Sequence, residues 1–207
     1  MDRKLSPFPF IMKASLSPLI NLQSLTLQNV SPQMLTTVLK QNGPQEFTDA
    51  DLKKYDGTNP VLPIYLAING TIYDVSLGRR HYGPGGSYHF FAGCDASRAF
   101  VTNCFKEDRT PDMRGVEEMF IPLDDPEVDR LYTKTELEKL KKEERKRAKE
   151  QVYAGLKHWV DFFEKSGKYT KIGKVKRVTG WEKKGRKPVL CKRAEEGRPK
   201  RQPPPEK

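Results

Sequence analysis

The sequence predicts an α+β domain in which helices pack on a small sheet to form a cleft, with poorly ordered extensions at both ends. Three features carry the prediction: apolar residues that alternate on either side of Asn69-Gly70, a Gly-rich loop that leads into a short capped helix, and apolar residues at helical spacing from Leu137 to Phe163. At 207 residues the chain holds one core of ordinary size. Its 36% hydrophobic and 31% charged residues suit a globular domain with polar flanks. No apolar run reaches the roughly 18 residues that a membrane-spanning helix needs. The N-terminal stretch is mildly apolar, but Pro7, Pro9 and Pro18 interrupt it and it lacks the pattern of a signal peptide. Cys94, Cys104 and Cys191 are odd in number and without metal-type spacing, which points to a reducing compartment.

The elements follow in order. Residues 1–45 read as a poorly ordered extension. Thr48 with Asp51 resembles a helix cap pair for a short helix over about 49–54, ended by Gly57. Ile64, Leu66 and Ile68 alternate up to Asn69-Gly70, the pair that a two-residue type I′ turn favours, and Ile72, Tyr73 and Val75 continue the second strand of a hairpin. Tyr73 reads as a core residue. Asp95 is placed to cap a helix over "ASRAFVTNCF", with Arg98 pairing locally. Residues 106–130 are acidic and proline-punctuated, hence a loop with short turns. Thr133 with Glu136, and Thr135 with Glu138, offer overlapping capping boxes for a long helix that runs to Gly167. Its charged first half, an insertion over about 133–151, is expected to project into solvent and its apolar second half to pack on the core.

Charge is distributed unevenly. Residues 174–207 hold 13 Lys or Arg against 4 Glu, or +9 of the net +11, whereas residues 1–173 hold 25 basic and 23 acidic residues. Rich in Pro, Lys and Arg and poor in apolar groups, residues 176–207 read as a disordered basic tail. Such a tail can be a solubilising extension, a tether to an anionic membrane surface, or a segment that meets nucleic acid.

The loop "RRHYGPGGSYHFFAGCDASRAF" places Tyr82 and Tyr88 around Gly83, Pro84, Gly85 and Gly86. Together, YDG, INGTIYDVS, GR, YGPGGSY and FAGCDASR over about 46–105, resuming with Trp159, Phe163 and GKYTKIGK, resemble the cytochrome b5-like haem/steroid-binding domain of the membrane-associated progesterone receptor family. The resemblance implies a cytochrome b5-like fold over 46–175 that binds haem b non-covalently. It implies that Tyr88 ligates the iron, with Tyr82, Lys168 and Tyr169 in support. A phenol with an ordinary pKa near 10 ligates only where ferric iron stabilises the phenolate. Glycine lets backbone pass close to a flat macrocycle. The chain departs from the pattern at Cys94, where relatives usually carry Arg. His81 and His89 flank the loop, yet the HPGG motif of true cytochromes b5 is absent.

No Ser-His-Asp grouping, metal-spaced Cys/His cluster or phosphate loop appears, so the sequence reads as a binding module and not an enzyme. The resemblance implies supply or regulation of haem for sterol and cytochrome P450 metabolism at the cytoplasmic face of the endoplasmic reticulum or in the cytoplasm, with a steroid as a further ligand. A b5-type electron-transfer protein and a haem-free interaction scaffold are the alternatives.

Overall fold

The computed structural model of the protein describes residues 45–204. The expectation for the N-terminal extension lies outside them, apart from residue 45. A four-stranded sheet is ordered β1-β4-β3-β2, from strands β1 (Gln45–Phe47), β2 (Tyr65–Ile68), β3 (Thr71–Asp74) and β4 (Thr170–Val175). β2 and β3 are antiparallel with Ile68 opposite Thr71, so Asn69 and Gly70 alone make the turn. Both have positive φ, 49° and 72°, the requirement of the type I′ turn that the sequence indicated. β4 closes the sheet, antiparallel to β3 and parallel to β1.

The predicted first helix is α1 (Asp49–Leu52), and its Thr48–Asp51 capping box is formed: the Asp51 N–H donates to Thr48 Oγ1 at 3.2 Å and the Thr48 N–H to Asp51 Oδ2 at 3.3 Å. Two further short helices, α2 (Arg79–Tyr82) and α3 (Ser97–Thr102), flank the Gly-rich loop. Within 106–130 lie a 3-10 helix (Val116–Phe120) and α4 (Pro126–Asp129), which Asp125 caps. The long helix α5 spans Lys134–Lys165; of the two capping boxes offered, Thr133 with Glu136 is formed.

The main core lies between one face of the sheet and the helices. It contains Ile64, Leu66, Ile68, Tyr73, Val75, Phe91, Phe100 and Phe163, with Leu156, Trp159 and Val160 of α5 packed against it. The alternation of β2 and β3 places a second, smaller cluster of Leu52, Ala67 and Ile72 on the opposite face. Each of these fully buried aliphatic chains contributes about 1.5–3 kcal/mol relative to exposure.

Several expectations are corrected. First, Asp95 does not cap α3, whose N-cap is Ala96. Its buried carboxylate accepts from Ser97 Oγ (2.5 Å) and the Gly70 N–H (3.0 Å) and pairs with Arg177 (3.1 Å), so it ties the hairpin turn to the start of α3. Secondly, Arg98 pairs at long range. Its fully buried guanidinium donates to Asp108 Oδ1 (2.9 Å) and to the carbonyls of Asp112 (3.1 Å), Arg114 (2.9 Å) and Val189 (3.1 Å).

Thirdly, the tail is ordered through residue 204. A disulfide joins Cys104 to Cys191, 87 residues apart, a bond that the reducing compartment inferred from cysteine count does not favour. Beyond α6 (Lys192–Glu196), Leu123 bridges Lys200, and Arg201 forks onto Glu144 of α5 at 3.2 and 3.0 Å while reaching Asp124 (2.8 Å) and Asp129 (2.6 Å). The charged half of α5 therefore does not project freely: Glu144 and Ala148 are buried. Composition failed here because a tail with little apolar surface is held by ion pairs, a backbone bridge and a covalent bond instead.

Removing one partner of a buried pair leaves an uncompensated charge. Arg98→Met should therefore destabilise the protein by about 3–5 kcal/mol, read as a lowered denaturant midpoint. An unchanged midpoint would show that the Arg98 contacts are not what closes the tail and the 108–114 loop.

Candidate functional site

Tyr82, Tyr88 and Tyr169 come together at one end of the main core. Tyr82 ends α2 and points inward, 6% exposed, whereas Tyr88 and Tyr169 are half-buried. Arg79 holds α2 in place by donating to the carbonyl of Leu62 (2.8 Å). The loop then folds back on this helix, with the N–H of Gly83 on the Arg79 carbonyl (2.8 Å) and that of Tyr88 on the His81 carbonyl (2.9 Å). A Cβ on Gly86 would lie 2.2 Å from the His81 carbonyl oxygen. That glycine serves the loop's packing on its own backbone, a reason different from close approach to a macrocycle. Gly78 clears the aromatic ring instead: a Cβ there would sit 2.9 Å from Cδ2 of Tyr82.

The Tyr82 and Tyr88 ring centroids are 5.9 Å apart, and Tyr169 meets Tyr82 edge-on at 5.9 Å. Behind them a stack runs from Tyr88 to Phe91 (6.3 Å) and on to Phe100 (4.3 Å), with Phe105 edge-on to Phe91. Phe163 of α5 supports Tyr169 from below at 5.5 Å. The sequence reading missed this stack, although the aromatics of "SYHFF" and "SRAF" were its visible signal. Lys168, the fourth predicted residue, is exposed beside Tyr169, and its ammonium enters none of the ion pairs among the described residues. Three of the four residues thus converge, and the fourth is their neighbour in the chain.

Burial raises the Tyr82 hydroxyl well above the usual phenol range, helped by the charge of Tyr169 and a hydrogen bond with it. The Tyr88 pKa is raised too, by burial and then by Tyr169. Both phenols are neutral unless a cation meets them. Tyr73 packs on Phe163 at 5.3 Å, as its reading as a core residue implied, and its hydroxyl is buried without a hydrogen-bond partner. Burial pushes it up to about 12.

Of the other candidate ligands, His89, His158 and Cys94 have contacts of their own, and His81 lies beside Tyr88. His89 Nδ1 lies 3.1 Å from the carbonyl oxygen of Tyr82, and His158 is edge-on to Trp159 on the outer side of α5. His81 is exposed, with its ring 6.0 Å from that of Tyr88. No ring contact pairs two imidazoles among the described residues. The Cys94 thiol donates to the carbonyls of Phe90 and Phe91 at 3.6 and 3.7 Å, and burial raises its pKa. Two clefts of about 390 and 240 Å³ lie away from the tyrosines, where α5 meets the tail around Glu144 and Arg201.

The model of the cytochrome b5-like heme/steroid binding domain matches residues 48–155, more than half of the chain. The chain belongs to that family. Neuferricin of Danio rerio is 55% identical over 60 residues, 29% of this chain and 22% of that protein. Membrane steroid-binding protein 1 of Arabidopsis thaliana is 50% identical over 72 residues, 34% of this chain and 33% of that protein. Cytochrome P450 regulator dap1 of Schizosaccharomyces pombe is 44% identical over 78 residues, 38% of this chain and 46% of that protein. The chain spans less than half the length of each of these relatives.

The buried phenols set a pH dependence. The folded pKa of Tyr73 is near 12 and that of Tyr82 is also raised, whereas both are near 10 when unfolded. Above pH 10 the folded state therefore binds more protons than the unfolded one, so stability is full below pH 10 and falls as pH rises towards 12. The thermal midpoint should drop across that window, and the drop should shrink in a Tyr73→Phe/Tyr82→Phe variant. An identical alkaline drop in that variant would show that other groups cause it.

Proposed function

We propose that the chain is a non-catalytic binding module that would hold haem b at the tyrosine cluster, with Tyr88 as the residue that would ligate the iron. The observation that carries this reading is the convergence of Tyr82, Tyr88 and Tyr169 on one apolar, aromatic-lined face, while no imidazole pair is formed. The donor set suits the group. A neutral buried phenol gives up its proton only to a strong cation, and ferric iron is one; an anionic oxygen ligand then favours the ferric state and lowers the reduction potential. Tyr88 is the half-buried phenol of the loop and can present its oxygen outward. Tyr82, more deeply buried and hydrogen-bonded to Tyr169, orients the cluster. Lys168, which enters no ion pair among the described residues, lies at the edge and suits a carboxylate such as a propionate.

Bound haem supplies the iron and its redox chemistry; the residues of this chain fix its ligation and exclude water from one face through Phe91 and Phe100. Haem supply to, or regulation of, a cytochrome P450 or another sterol-pathway enzyme extends the reading, supported by the likeness to dap1, whose name says that it regulates cytochrome P450. Steroid binding rests in the same way on the name of the Arabidopsis relative. Membrane association is part of the proposal on the same ground. The oxidising side of that membrane suits the Cys104–Cys191 bond better than the cytoplasmic face that the sequence suggested.

Tyr88→Phe removes only the ligating oxygen. It should lower haem affinity by more than about 100-fold with the far-UV circular dichroism unchanged, whereas Tyr82→Phe and Lys168→Ala should each cost about 10-fold to 100-fold, as supporting contacts do. Equal haem occupancy in Tyr88→Phe and the parent protein would sink the ligand assignment.

A further inference from the structure

The turn between β4 and α6 presents fixed cations to solvent. Asp112 grips the Arg114 guanidinium at 2.7–3.1 Å, and Arg114 in turn donates to three successive carbonyls of the turn, those of Lys184 (3.1 Å), Gly185 (3.5 Å) and Arg186 (3.4 Å). The backbone oxygens thus face the body of the protein. The side chains of Lys183, Lys184 and Arg186 are exposed, and none of the ion pairs among the described residues includes them. Their neighbours differ: Lys187 is paired with Glu118 at 2.5 Å and Lys192 with Glu196 at 3.7 Å. The turn is anchored on both sides. Before it, Trp181 lies under the Arg177 guanidinium at 4.8 Å; after it, the Val189 carbonyl accepts from buried Arg98 at 3.1 Å and Cys191 is bonded to Cys104. Cations carried on a pinned backbone lose less conformational freedom on binding than those of a free tail.

Such a site fits a polyanion, and two observations narrow the class. The Cys104–Cys191 disulfide suits an oxidising compartment better than a reducing one. Nucleic acid and the anionic lipid leaflet belong chiefly to the other side of the membrane, whereas sulfated polysaccharides share the oxidising side and are recognised by clusters of Lys and Arg. The aromatic that could serve as a base-stacking platform, Trp181, is already covered by Arg177. We propose that the Lys183–Lys184–Arg186 turn is a docking site for a linear sulfated polysaccharide, with each cation donating charge-assisted hydrogen bonds to sulfate oxygens. This inference is independent of haem binding: the turn shares no residue with the tyrosine cluster.

The test uses heparin as the probe and the oxidised full chain as the protein. Affinity is measured at several salt concentrations for the parent, for a Lys183→Gln/Lys184→Gln/Arg186→Gln variant, and for a Lys139→Gln/Lys142→Gln/Lys149→Gln variant. The second variant removes the same charge from exposed positions on α5. With roughly 0.7–0.9 counterions released per contact, the turn variant should lose about two to three units of the slope of log affinity against log salt, and at least tenfold in affinity at low salt. The α5 variant should stay near the parent. Equal losses in the two variants would reduce the effect to net charge and overturn the site. Absence of heparin binding by the parent, or tighter binding to phosphatidylserine vesicles or duplex DNA at the same salt, would overturn the choice of ligand.

Discussion

A fully buried guanidinium governs this structure. Arg98 sits at the second position of α3, without access to water, and a charge so placed is tolerable only if each donor is met. Asp108 supplies the counter-charge, and three backbone carbonyls from two distant segments accept three further N–H groups, so four of the five donors are met by these partners. The constraint is geometric as well as energetic: the 108–114 loop and the stretch around Val189 have to close over α3 for Arg98 to be satisfied. The disulfide at Cys191, two residues past Val189, reinforces that closure by about 2–4 kcal/mol. With α3 fixed, Phe100 is fixed, and the stack through Phe91 to Tyr88 inherits its position.

The tyrosine cluster is consequently buried at its back and partly exposed at its front. Phe91, Phe100 and Phe163 form an apolar floor, Tyr82 is buried on it, and Tyr88, Tyr169 and Lys168 stand at the edge. Such a surface suits a flat, largely apolar ligand with a few polar substituents, and its phenols distinguish it from a site made of paired imidazoles. His89 is engaged, with its Nδ1 on the Tyr82 carbonyl, and His158 lies against Trp159, while His81 is exposed beside Tyr88. Among the described residues the Tyr73 hydroxyl is buried without a hydrogen-bond partner.

Much of this was legible in the sequence, because the features concerned are local. Asn69-Gly70 prescribes a turn that few other residue pairs allow. Thr48 with Asp51 and Thr133 with Glu136 are caps whose partners lie three residues away. The cluster was legible through its family motif, which brought Tyr82, Tyr88 and Tyr169 together before any coordinates did. What could not be read depends on distant partners. Asp95 looked like a cap because Ser97-Arg98 follows it, yet its carboxylate serves the Gly70 N–H and Arg177. The tail looked disordered because its 13 basic residues among 34 bury little apolar surface. Its order comes from Glu144, Asp129 and Cys104, all more than fifty residues upstream, and no window of composition contains them. The loop glycines were read as room for a macrocycle, whereas the place of Gly86 against the His81 carbonyl, a contact within the loop, is visible only in the fold.

The most direct test of the account is the ferric spectrum of the protein purified with haem, recorded by visible absorption and electron paramagnetic resonance. Phenolate ligation by Tyr88 predicts a high-spin ferric signal with a phenolate-to-iron charge-transfer band, since a single anionic oxygen donor leaves the iron weakly ligated. A low-spin, six-coordinate spectrum of the bis-imidazole type would contradict it and assign the iron to histidines that the structure holds apart, while the lack of any Soret band would remove haem from the site altogether.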